Sequence, residues 1–316
     1  MNHLKLLVSG LLFCLLGVGN CSAQAVREPF ISASRVRARK ELGALGVEYS
    51  RDSFVKRAEE GDSIAVKLFV AAGMDPNVVS GPGTAGRSPL TAAAGACQFE
   101  TVKVLIVKGA DANQPDGSDG GGMLPLVAAD SCRDGKDMAT LLLKAGANVN
   151  ARNRLGATAL LSLGWSSKTE VFDLLLSNGA DVRLKNSFGS TPLIAAADAD
   201  HFDEVKALVE AGADVNARDD QGQTALFYSI LMGRLDSVTF LLGRGADPNQ
   251  KNRMDETPLM RASNMCSTKG LEYCIAVTKL LIEAGANVNL RTRLGTPLAA
   301  APNEPLRHLL IEAGAK

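Results

Sequence analysis

Asp198, Asp200, His201, Asp203 and Glu204 form the richest cluster of ionisable side chains in the sequence, and carboxylates beside an imidazole are the types that hold a divalent metal. Their position argues for a simpler role. Asp200 falls in a turn between two short helical segments, and Asp203 and Glu204 fall in the first turn of the second, where the helix dipole favours negative charge. Local structure accounts for the group, and no metal site is assigned. His308 has no evident acidic or cysteine partner and reads as a partly exposed helix residue. The run Gly117-Ser118-Asp119-Gly120-Gly121-Gly122 lacks the Lys-Ser/Thr that completes a phosphate-binding loop. No Gly-x-Ser-x-Gly, His-Glu-x-x-His or paired-carboxylate arrangement occurs. The expectation is a noncatalytic chain without a cofactor.

The elements that carry these residues recur. A phrase built on Leu-Leu/Ile-x-x-Gly-Ala-Asp/Asn-x-Asn appears eight times, with its glycines at Gly73, Gly109, Gly146, Gly179, Gly212, Gly245, Gly285 and Gly314. A period near ~33 residues marks a stack of supersecondary units. In the unit from Asp219 to Asn249, Gly222 marks a turn, Thr224 can cap a short helix, Gly233 permits a tight turn, and Val238, Phe240, Leu241 and Leu242 form a second apolar helix ending at Gly245. Neither helix is long enough to stand alone in water. Each must be covered by its neighbours, giving an all-α solenoid with one continuous core.

The phrases Gly189-Ser190-Thr191-Pro192-Leu193 and Gly295-Thr296-Pro297-Leu298, with Ser88-Pro89-Leu90, Thr158-Ala159-Leu160, Thr224-Ala225-Leu226 and Thr257-Pro258-Leu259, resemble the ankyrin repeat family. The resemblance covers roughly residues 50 to 316 and implies a stack of about eight helix-turn-helix units with projecting finger loops. The histidine that usually follows Pro-Leu in that family is absent from every copy. The repeat domain is expected over 49–316, with atypical end units, preceded by an extension or capping helix over 26–48.

Residues 1–25 read as a cleavable secretory signal: Lys5, an apolar stretch from Leu6 to Val18, and Ala23-Gln24-Ala25 as the processing motif. The stretch is short for a stable transmembrane anchor. A lipid on Cys21 is a minor alternative, since Asn20 fits a lipoprotein processing site poorly. Export suits disulfides between Cys97, Cys132, Cys266 and Cys274, which allow three pairings. Cys97 and Cys132 fall at nearly the same place in adjacent repeats, whereas Cys266 and Cys274 would staple a local insertion. Four buried thiols acting as small hydrophobes are the other reading.

Lys plus Arg and Asp plus Glu stand equal at 34 each, which gives no global attraction to nucleic acid. Binding to a protein is the expected trade. Arg152, Lys185, Arg218, Lys251 and Arg291 share one repeat position, with a second register at Arg154, Arg253 and Arg293. That row reads either as a surface for an acidic protein patch or as scaffold electrostatics. Phe188, Trp165, Phe227, Tyr228, Met232, Met254 and Met260 break the repeat rule and are further candidates. So are the loops inserted at about 114–123 and 264–274, since loops on a rigid scaffold commonly carry recognition. The resemblance to exported bacterial ankyrin proteins implies a periplasmic binder: an immunity protein that sequesters a secreted antibacterial toxin, or a stress-support factor assisting a catalase or envelope complex.

Overall fold

The computed structural model describes residues 32–81, 86–119, 121–166 and 169–316. The expected signal over 1–25, with Cys21, lies outside the described residues, as does 26–31 of the extension. Among the described residues, helices alternate short and longer, and the extended pairing is limited to two isolated bridges, Arg152 with Thr158 and Thr292 with Gly295.

An inner row contains Arg51–Glu60, Pro89–Gly95, Pro125–Ala128 with a 3-10 turn at Ala129–Ser131, Ala159–Leu163, Pro192–Asp198, Ala225–Met232, Pro258–Asn264 and Pro297–Ala300. Each helix touches the next in that row. An outer row begins with Ala33–Ala44 against Ser63–Ala71 and ends with Leu271–Glu283 against Glu304–Glu312. The buried side chains form one continuous cluster from Ala38 to Ala315. This is the geometry that mutual shielding of short helices requires.

Local chemistry sets the helix boundaries. Thr191 Oγ1 accepts from the Ile194 N-H at 3.3 Å and Thr257 Oγ1 from that of Met260 at 3.2 Å, each followed by proline in the first helical turn. Proline loses no hydrogen bond there. Gly245, with φ of 87°, closes an outer helix in the left-handed conformation that a Cβ disfavours.

The asparagine that ends the repeated phrase explains how units lock. Asn216 Nδ2 donates to the Gly245 carbonyl at 3.0 Å, while its Oδ1 accepts from the Asp247 N-H at 2.8 Å. Asn77, Asn113, Asn150, Asn249 and Asn289 repeat the clamp. Each carboxamide satisfies both the carbonyl of the glycine that closes the next repeat's outer helix and an N-H two residues further on.

Two disulfides add covalent links. Cys97 takes a left-handed conformation, φ 61°, at the turn between its two helices and bonds to Cys132 of the next repeat, with their Cα atoms 5.0 Å apart. Cys266 bonds to Cys274. The insertion at 264–274, expected as a loop, is helical instead: Cys266–Lys269 forms a short helix, and Leu271–Glu283 is an outer helix of 13 residues. Burial explains the difference, because Cys274 is fully enclosed with its sulfur 3.1 Å from the Ala262 carbonyl, so this segment has a core-facing side.

Candidate functional site

The loops between repeats are held in a row. Asn153, Asn186, Asp219 and Asn252 each place Oδ1 against two backbone N-H groups of their own loop, as Asn186 does with Phe188 at 2.9 Å and Ser190 at 3.0 Å. Successive loops are joined through main-chain bonds: Ser187 N-H to Leu155 O at 2.8 Å, Asp220 N-H to Phe188 O at 2.9 Å, and Arg253 N-H to Gln221 O at 2.8 Å. Phe188 is therefore fixed at both backbone polar groups while its side chain is 60% exposed.

Beside Phe188 lies a groove of 460 Å³, bounded by Trp165, Tyr228, Leu155, Ile194 and Asp198 as well. Trp165, the sole tryptophan, is 45% exposed two residues beyond the helix Ala159–Leu163. Tyr228 lies on the helix Ala225–Met232 and donates its hydroxyl to Asp219 Oδ2 at 2.8 Å. Burial, reinforced by that hydrogen bond, pushes the Tyr228 phenol far above its ordinary value. Asp198 is half-buried at the end of Pro192–Asp198. The groove thus joins aromatic surface to a carboxylate.

The basic row has a different environment. Arg152 Nη1 donates to the Lys185 carbonyl at 3.1 Å, Lys185 Nζ to that of Arg218 at 2.8 Å, Arg218 Nη2 to that of Lys251 at 2.8 Å, and Lys251 Nζ to that of Arg291 at 3.5 Å. The first four side chains form a ladder that ties each repeat to the next. In the second register, Arg154 donates to the Asp116 carbonyl and Arg293 to that of Arg253. Lys251 Nζ also lies 3.2 Å from Asp255 Oδ1. Much of the charge expected at a recognition edge is engaged within the scaffold.

Met254 is 56% exposed at the loop register of Phe188. Phe227 and Met260, also singled out from sequence, are instead core residues at 0% and 1% exposure, because each follows the first leucine of its inner helix and points between repeats. Two residues at the Phe188 register were not singled out: Leu155, half-buried, and Leu294, exposed. Their signal was available in their constant offset from the Asn or Thr that opens each loop. His308 has an acidic neighbour after all, since its Nδ1 lies 3.3 Å from Glu312 Oε1 one turn later.

His201, in the ionisable cluster between Asp198 and Glu204, places Nδ1 3.1 Å from the Gly164 carbonyl, and Asp200 pairs with Arg234. Both side chains link neighbouring repeats. Among the described residues, no group of three or more His, Cys, Asp or Glu side chains is arranged to hold a metal ion. Among them too, no helix is long and apolar enough to cross a membrane.

The family described as Ankyrin repeats (3 copies) matches residues 55–153 and 162–252, and the single Ankyrin repeat matches residues 254–293. The chain belongs to the ankyrin repeat family. No match was found among curated proteins. The fold and the family together are consistent with a non-enzymatic scaffold of the kind that mediates protein–protein interactions.

Proposed function

We propose that this protein is a noncatalytic binding module whose partner, another protein, seats on the inner-helix surface around Trp165, Phe188 and Tyr228. One observation carries the reading: Phe188 and Trp165 stand exposed beside a groove that Tyr228 also lines, and the backbone of Phe188 is pinned by Asn186 and by the bond from Asp220. Rigid aromatic surface binds with little ordering cost. The basic row contributes mainly to stacking.

Export to the periplasm is part of the proposal. It is supported by the signal-like composition of residues 1–25 and by two disulfides, which persist in oxidising compartments. Within that compartment the reading is immunity by sequestration of a secreted antibacterial toxin, an assignment drawn from the family resemblance. Affinity capture from the periplasm of the native host, using the full chain and a Phe188→Ser variant, tests it. Immunity requires a stoichiometric complex with a toxic protein that is lost in the variant. Capture of a catalase or an envelope complex by the same face would replace immunity with stress support, and equal capture by both proteins would contradict the surface itself.

A further inference from the structure

We propose that the groove bounded by Trp165, Phe188 and Tyr228 receives a cationic side chain, arginine or lysine, from the partner protein, with Asp198 as its counter-ion. The inference rests on the reading of this face as the binding surface and specifies what it recognises.

Two carboxylates line the groove and no basic side chain does. They are not equivalent. Asp219 is committed, since its Oδ1 accepts from the N-H groups of Gln221 and Gln223 at 2.8 and 2.9 Å and its Oδ2 from Tyr228. The Asp198 carboxylate has no hydrogen bond or ion pair among the described residues. It ends a helix, where negative charge opposes the dipole, so helix stability does not explain it. One repeat earlier the same position holds Trp165, and one repeat later Leu231.

The rings are similarly uncommitted. Elsewhere the protein caps aromatic faces with its own cations: Arg39 lies 4.3 Å above the Tyr49 ring, Lys206 4.7 Å above Phe202, and Arg244 4.7 Å above Phe240. Among the described residues, Trp165, Phe188 and Tyr228 receive no such cap. Their faces attract a cation, Asp198 supplies the matching charge, and Leu155 and Ile194 offer apolar surface for an alkyl stem.

A random-peptide phage library selected on the full-length protein, with counter-selection on Phe188→Ser, tests this directly. The expected peptides carry an arginine or lysine whose replacement by methionine weakens binding. They should also bind roughly tenfold less tightly to Asp198→Asn and to Trp165→Ala, and unchanged to Lys185→Met. Exchanging arginine for lysine in a selected peptide identifies the preferred cation. Asp198→Asn preserves side-chain shape, so it keeps the test decisive if Trp165→Ala unfolds. Groove-dependent peptides that lack a required cation, or that bind Asp198→Asn equally well, would overturn the inference while leaving protein binding at this face intact. Selection that yields no peptide dependent on Phe188 or Trp165 would overturn both.

Discussion

Arg183 folds back on Asp181 within its own repeat, Nε to Oδ1 at 3.0 Å, at the joint where neighbouring repeats use an asparagine to reach across. Asn150 before it and Asn216 after it each clamp the following unit. Among the described residues, the Gly212 carbonyl and the Asp214 N-H receive no such clamp, and a 430 Å³ recess lined by Arg183, Asp214 and Asn216 lies at this joint. Replacing Arg183 by asparagine should therefore restore two hydrogen bonds and forfeit only an exposed ion pair. The expected result is a gain of about 0.5–1 kcal/mol in urea unfolding. A loss of stability would show that the joint is shaped by something other than the missing clamp.

The basic ladder makes a separate prediction about what those side chains do. Lys185→Met removes the bond to the Arg218 carbonyl but keeps most of the apolar stem, and it should cost about 0.5–1 kcal/mol in chemical denaturation. Partner affinity should stay within twofold, on the order of 0.4 kcal/mol. A large drop in affinity without a drop in stability would return the row to recognition.

The two disulfides should differ in weight. Cys97–Cys132 closes a separation of 35 residues and Cys266–Cys274 one of 8, so loop entropy assigns about 4 and about 2.5 kcal/mol respectively. Paired serine variants compared by thermal denaturation should rank in that order. The reverse ranking would mean that the helical insertion, rather than chain entropy, sets the contribution.

Tyr228 and Tyr273 provide a pH signature. Burial first, and for Tyr228 the hydrogen bond to Asp219 next, raises both phenols above their ordinary value in the folded protein. The stability they contribute is fully present below pH about 10 and is lost as pH climbs through the raised values. Denaturation midpoints should fall steadily above pH about 10, and the double variant Tyr228→Phe and Tyr273→Phe should flatten that fall. An unchanged slope in the double variant would place the alkaline sensitivity elsewhere.

Gly189 links fold to site. Its φ is 72°, and a Cβ there would come within 2.8 Å of the Asp220 backbone nitrogen, which itself bonds to Phe188 O. Gly189→Ala should cost about 1–2 kcal/mol and weaken partner binding as well, because the strain falls on the bond that fixes Phe188. Calorimetry and a binding titration on the same preparation separate the two effects.

Much of the scaffold was legible from residue types because each repeat states the same local rules. Thr191 and Pro192 announce a helix start, Gly245 its companion's end, and the repeated asparagine the boundary between units. The site was less legible. Phe188 and Trp165 stood out as departures from the repeat, but their exposure depends on which way each loop turns. Sequence spacing places Lys185 and Arg218 in a row without revealing that one side chain spends its charge on the backbone of the other. Asp198 was visible only as part of an acidic cluster, since the neighbour that gives it meaning, Tyr228, arrives from the next repeat. The insertion at 264–274 misled for a related reason: Cys274 is buried by Ala262, a contact that local composition does not report.

Site-specific photo-crosslinking in the native host addresses the central claim most directly. A photoreactive phenylalanine analogue placed at Phe188, on the groove, is compared with one at Val107, which is 82% exposed on an outer helix. The account predicts one discrete adduct from position 188 and none from position 107, with the adduct lost when Trp165 is also replaced. An adduct formed from position 107 alone, or equally from both, would contradict it.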